Sequence, residues 1–134
     1  MLNLFSRLAQ QETDLRKQPK FIVFLTQLLL LFKFCPSCKE DDPLVEKKQI
    51  GTMVEMRIQC ANPVCKKRES IWRSQPYMDG TRIPAANFLL SFAILFAGGT
   101  ATKALRFFSH MGLACISLNT YLKHQRASFI EDNK

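Results

Sequence analysis

Apolar positions change period along the chain, and each period predicts a different element. Between residues 44 and 59 they recur at even or near-even spacing: Val45, Ile50, Val54, Met56 and Ile58, with Gly51 at the bend. That alternation predicts two antiparallel strands, Leu44–Ile50 and Thr52–Gln59. Glu69–Ser74 reads as a third strand. Upstream, Phe21–Phe32 is apolar except for Thr26 and Gln27. Lys20–Val23 fits a short strand, and Leu25–Phe34 a helix whose leucines pack on the sheet. Earlier still, Leu4, Phe5, Leu8 and Leu15 give a weakened helical spacing that Pro19 ends. Beyond Pro84 the pattern turns helical. Asn87–Ala97 is apolar nearly all round, which predicts a buried helix stopped by Gly98-Gly99. Thr100 then caps a helix with Ala101, Ala104, Leu105 and Phe108 on one stripe, broken by Gly112. Ser117 caps the last helix. Its expected inward face is Leu118, Tyr121 and Leu122. Asn119, Lys123 and Arg126 point outward, with Thr120 beside them.

The cysteines add chemistry to this frame. Cys35-Pro36-Ser37-Cys38 is followed by twenty-one residues and then by Cys60-Ala61-Asn62-Pro63-Val64-Cys65. Zn²⁺ in a structural site takes a closed tetrahedron of ligands, and two close cysteine pairs flanking a strand-rich insert supply it. Free or disulfide-bonded thiols are the competing reading, and the paired spacing favours one structural Zn²⁺. Cys115, the fifth cysteine, lies in an apolar run as an inert thiol. An odd thiol count suits a reducing, intracellular compartment, nuclear or cytoplasmic. The expected fold class is α+β: a small antiparallel zinc-ribbon sheet preceded by a helix and followed by a three-helix, helix-turn-helix-like segment. The expected division is an amphipathic or disordered lead-in over 1–19, helix plus zinc ribbon over 20–76, and a helical module over 77–134.

Charge narrows the partner. A net charge of +8 and a pI near 9.5 favour an anionic one. Lys66, Lys67 and Arg68 directly follow the second cysteine pair. Asn119, Thr120, Lys123 and Arg126 are residue types that read base edges and hold phosphates. DNA is therefore the expected partner, with a protein partner as the alternative. Neither apolar run, Phe21–Phe32 or Phe88–Ala97, reaches the roughly 18–20 residues that a membrane span needs, so a membrane role is disfavoured. No signal peptide is visible. Carboxylates cluster in Glu40-Asp41-Asp42 and towards the two ends, no phosphate-binding glycine loop occurs, and His110 and His124 read as surface residues. No enzyme is expected.

Several stretches resemble a family of uncharacterised animal proteins that look transposon-derived. They include Lys20-Phe21-Ile22-Val23-Phe24, the leucine run before Cys35-Pro36-Ser37-Cys38, Trp72-Arg73-Ser74-Gln75-Pro76 and Asn87-Phe88-Leu89-Leu90-Ser91. Ile94–Gly99, Arg106-Phe107-Phe108, Ile116-Ser117 and His124-Gln125-Arg126 extend the likeness over about Lys20 to Arg126. The resemblance implies a zinc-ribbon and helical region leading into a longer transposase-like catalytic part. That part is not expected in a chain ending at Lys134, so no catalytic activity carries over. The combined expectation is a zinc-binding, DNA-binding or assembly module. The alternatives are a protein-interaction module that docks through apolar helices, or a small membrane-associated protein.

Overall fold

The β-branched and long apolar residues of the central segment form a three-stranded antiparallel sheet in the computed structural model, which describes residues 13–132 and side chains over 13–126. The chain order is α1 (Leu25–Leu28) running into a 3₁₀ turn (Leu29–Phe32), β1 (Leu44–Ile50), β2 (Met53–Gln59), β3 (Glu69–Arg73), α2 (Ala85–Ala97), α3 (Ala101–His110) and α4 (Leu118–Asp132). Among the described residues the fold is thus α+β, with one α-helix before the sheet and three after it. The expected helix over residues 1–12 lies outside the described residues; residues 15–17 form a turn.

Strand order is β1-β2-β3. Register places Lys47 and Trp72 on either side of Met56, and Val45 and Ser70 on either side of Ile58. Side chains alternate across a strand, so Val54, Met56, Ile58 and Trp72 share one face. Met56 is fully buried and Ile58 nearly so. Phe32 meets the Trp72 ring edge-on at 5.4 Å. The opposite face carries Glu46, Glu55 and Glu69 against Lys48, Arg57 and Arg73. Arg57 Nε pairs with Glu69 at 3.3 Å and Arg73 Nε with Glu55 at 3.2 Å. Three carboxylates balance three cations there, which leaves this face a poor phosphate surface.

Gly51 and Thr52 form the β1–β2 loop, with Gly51 at φ +61°, a conformation glycine adopts without strain. The loop docks against α2 through one buried side chain. Asn87 Oδ1 accepts from the Thr52 N–H at 2.8 Å and from the Thr52 hydroxyl at 2.6 Å, while its Nδ2 donates to the Ile50 carbonyl at 3.0 Å. Gln75 completes the hub. Its Nε2 donates to the Thr52 hydroxyl at 3.1 Å, and its Oε1 accepts the Ala86 N–H at 2.6 Å, satisfying one free donor at the start of α2. A Cβ on Gly51 would lie 2.5 Å from Asn87 Nδ2, so the approach needs glycine.

The helices pack around Ile94, Ile116 and Tyr121, with Leu90, Ala101, Ala104, Leu105 and Cys115 against them. The predicted α3 stripe therefore faces inward. Gly98, in the left-handed region at φ +69°, closes α2 by donating to the Leu95 carbonyl. The Ser117 hydroxyl accepts the Thr120 N–H at 3.2 Å and caps α4. Thr100 sits at the α3 N-cap without a side-chain cap bond.

Four local expectations are corrected. The helix over Leu25–Phe34 is a single α turn and a 3₁₀ turn, because its leucines find no apolar surface among the described residues: Leu25, Leu29, Leu30 and Leu31 are all exposed. The short strand expected over Lys20–Val23 does not form, and the side chains of Phe21–Phe24 are 57–85% exposed. On α2 the buried positions include Asn87, which meets the polar groups of the hairpin, and Ser91, whose hydroxyl donates to the Asn87 carbonyl, while Phe96 is exposed. On α4, Tyr121 alone of the expected inward trio is buried; Leu118 and Leu122 remain partly open.

Candidate metal centre

Each cysteine pair is presented by a turn that its own backbone closes. In the first, the Cys35 N–H donates to the Glu40 carbonyl at 2.9 Å, the Lys39 N–H returns to the Cys35 carbonyl at 3.0 Å, and the Asp42 N–H reaches the Lys33 carbonyl at 2.9 Å. Lys39 takes φ +65° to make this reversal. In the second, the Cys60 N–H donates to the Arg68 carbonyl at 2.7 Å and the Cys65 N–H to the Asn62 carbonyl at 3.2 Å. Asn62 Oδ1 also accepts the Val64 N–H at 3.1 Å, an Asx turn that absorbs the two extra residues of the longer spacing.

These turns meet at the end of the sheet. The Sγ atoms of Cys35, Cys38, Cys60 and Cys65 lie within 4.8 Å of one another. Cys38 and Cys60 are 3.4 Å apart, and Cys35 and Cys65 are 3.8 Å apart. A tetrahedral centre with Zn–S arms of about 2.3 Å has S···S edges of about 3.8 Å, so the cluster has the right size. A disulfide needs about 2.05 Å, and all five cysteines are free thiols. The donor set is four soft sulfurs, which suits Zn²⁺ over oxygen-seeking cations.

Electrostatics point the same way. Backbone N–H groups of Cys38 and Ser37 lower the Cys35 thiol from 9.0 to about 6. At Cys60 the Asn62 N–H favours the thiolate, but burial and the neighbouring thiols outweigh it and push the group up to about 12. Four crowded sulfurs cannot all ionise against one another. A divalent cation at their centre removes that penalty and lets every ligand act as thiolate. Cys35, Cys60 and Cys65 are buried, whereas Cys38 is exposed.

Lys66, Lys67 and Arg68 are exposed beside Cys65. Asn119, Lys123 and Arg126 are exposed on α4; Thr120 is half-buried, with its hydroxyl 3.1 Å from that of Ser117. His110 is exposed as expected, but His124 is not free of the core: its ring meets Phe88 edge-on at 5.8 Å. Burial and nearby Lys123 lower its pKa. Sequence reasoning missed the Asn87–Thr52–Gln75 hub. The visible signal was a polar pair, Asn87 and Ser91, one turn apart in an otherwise apolar helix.

Among the described residues, no helix is long and apolar enough to cross a membrane. Comparison with protein-family models, curated proteins and solved structures finds no match.

Proposed function

We propose that the chain is a non-enzymatic module built on one structural Zn²⁺ held by Cys35, Cys38, Cys60 and Cys65, and that it binds duplex DNA. The carrying observation is the convergence of four sulfurs within 4.8 Å from two turns. The zinc would supply cohesion, tying the 3₁₀ turn before β1 to the loop between β2 and β3 where the apolar core is small. The net charge of +8 supports an anionic partner. On this reading the partner meets Lys66, Lys67 and Arg68 and the α4 row of Asn119, Lys123 and Arg126, which are exposed, and the charge balance of the sheet face makes that face the poorer candidate. A transposon-derived origin is part of the same proposal, and it would fit DNA as the polyanion and a nuclear or cytoplasmic setting.

Fluorescence anisotropy of the zinc-loaded chain with duplex DNA at two salt concentrations tests this. If Lys123 and Arg126 each contact a phosphate, replacing both with Ala lowers the salt slope by about 2, near 0.9 per contact. An unchanged slope and affinity would remove α4 from the interface. A second reading, a protein-docking module, is favoured by one observation: Phe21–Phe24, Leu30 and Leu31 are at least half exposed in a contiguous apolar segment. It expects DNA binding that is weak and indifferent to the α4 changes.

A further inference from the structure

The four sulfurs differ in access and in support. Cys35 is 1% exposed and Cys60 and Cys65 are each 7% exposed, whereas Cys38 opens to solvent. Cys35 Sγ accepts the Ser37 N–H at 3.4 Å, and Cys60 Sγ accepts the Asn62 N–H at 3.4 Å. Cys38 Sγ receives the Asn62 side-chain amide at a longer 3.8 Å and lacks the backbone N–H bond that Cys35 and Cys60 accept. Hydrogen bonds to a thiolate delocalise its charge and blunt its nucleophilicity. Cys38 is thus the exposed corner that an oxidant reaches, and it is less quenched than Cys35 or Cys60. Its nearest sulfur is Cys60, at 3.4 Å.

Resting on the zinc reading above, we propose that Cys38 is a hydroperoxide-reactive modification site with Cys60 as its resolving partner, so that oxidation closes a Cys38–Cys60 disulfide and opens the metal centre. The Cys38 thiolate attacks the O–O bond of hydrogen peroxide, which breaks to leave hydroxide and Cys38 sulfenic acid. The Cys60 thiolate then attacks the Cys38 sulfur, forming the S–S bond and expelling a second hydroxide. Two thiolates lose two electrons in total and one peroxide gains them. The centre is left with two of its four donors, Cys35 and Cys65, too few to retain Zn²⁺. Cys35 and Cys65 lie 3.8 Å apart and are both buried, which makes them the slower pair.

The zinc-loaded full chain is treated with substoichiometric hydrogen peroxide. Zinc release is read with a chromogenic chelator, and disulfides are mapped by peptide mass spectrometry under non-reducing conditions. The first disulfide joins Cys38 to Cys60, release follows its formation, and a thiol reductant with added zinc restores the centre. Cys38→His keeps a four-ligand set, since three cysteines and one histidine form a common zinc site, and slows release at least about tenfold. Cys115→Ser leaves the rate unchanged. A first disulfide between Cys35 and Cys65, one that includes Cys115, or wild-type release from Cys38→His would overturn the proposal. Should Cys38→His fail to hold zinc, the wild-type disulfide map alone decides. A chain that purifies without zinc would defeat the zinc reading instead, and mapping its thiols still reports whether Cys38 and Cys60 pair first.

Discussion

Asn87 is 4% exposed and is the side chain through which α2 grips the β1–β2 loop. Asn87→Ala removes two accepted hydrogen bonds, from the Thr52 N–H and hydroxyl, and one donated to the Ile50 carbonyl. Each such bond contributes about 0.5–1.5 kcal/mol net, and the buried groups left unpaired add to the loss. A cost of about 2–4 kcal/mol follows. At a urea m-value of about 2 kcal/mol/M, the unfolding midpoint falls by about 1–2 M. The zinc-loaded protein should be unfolded in urea with two probes. Fluorescence of Trp72, the single tryptophan, reports the sheet, and far-ultraviolet circular dichroism reports the helices. Asn87→Asp keeps the acceptor for Thr52 but sets a carboxylate oxygen against the Ile50 carbonyl, so it should cost as much as Asn87→Ala. A midpoint shift below about 0.3 M for Asn87→Ala would refute the reasoning, because solvent would then be replacing those bonds without loss. A neutral Asn87→Asp would show that the Ile50 bond contributes nothing.

Two pH dependences follow from local causes. All four ligands act as thiolates when zinc is bound, so apparent zinc affinity should fall as pH drops from 8 to 6.5, with protons released on binding; chelator competition measures the slope, and an affinity indifferent to pH would contradict thiolate ligation. His124 is lowered from 6.5 by burial first and Lys123 second. The unfolded chain therefore binds a proton more readily, so stability from this site is full above pH 6.5 and is lost as pH falls below it. His124→Gln should flatten that part of a urea-midpoint profile, and an unaltered profile would contradict it.

The strands were legible because β2 alternates apolar and charged residues across a sheet with one covered face. The knuckles were legible because zinc ligation imposes tight cysteine spacing, while the α2 and α4 boundaries were written in Gly98 and Ser117. Other features depend on tertiary partners that no local pattern encodes. Leu25–Phe34 has the composition of a buried helix, yet among the described residues no apolar layer lies over its leucines and only a turn of α-helix forms. Asn87–Ala97 reads as apolar nearly all round, yet the hairpin it meets offers an N–H, a hydroxyl and a carbonyl, so Asn87 is buried there. His124 looked solvated because its neighbours on α4 are polar; the Phe88 ring comes from α2, two helices earlier in the chain.

Zinc K-edge X-ray absorption on protein purified under reducing conditions, with elemental analysis of the same sample, tests the central claim most directly. The account predicts about one zinc per chain with four sulfur scatterers at about 2.3 Å. It also predicts loss of the β signal when the metal is removed, and a zinc content unaltered by Cys115→Ser. Substoichiometric zinc, nitrogen or oxygen in place of any of the four sulfurs, or a metal-free chain that keeps its full β signal would contradict a structural centre at Cys35, Cys38, Cys60 and Cys65.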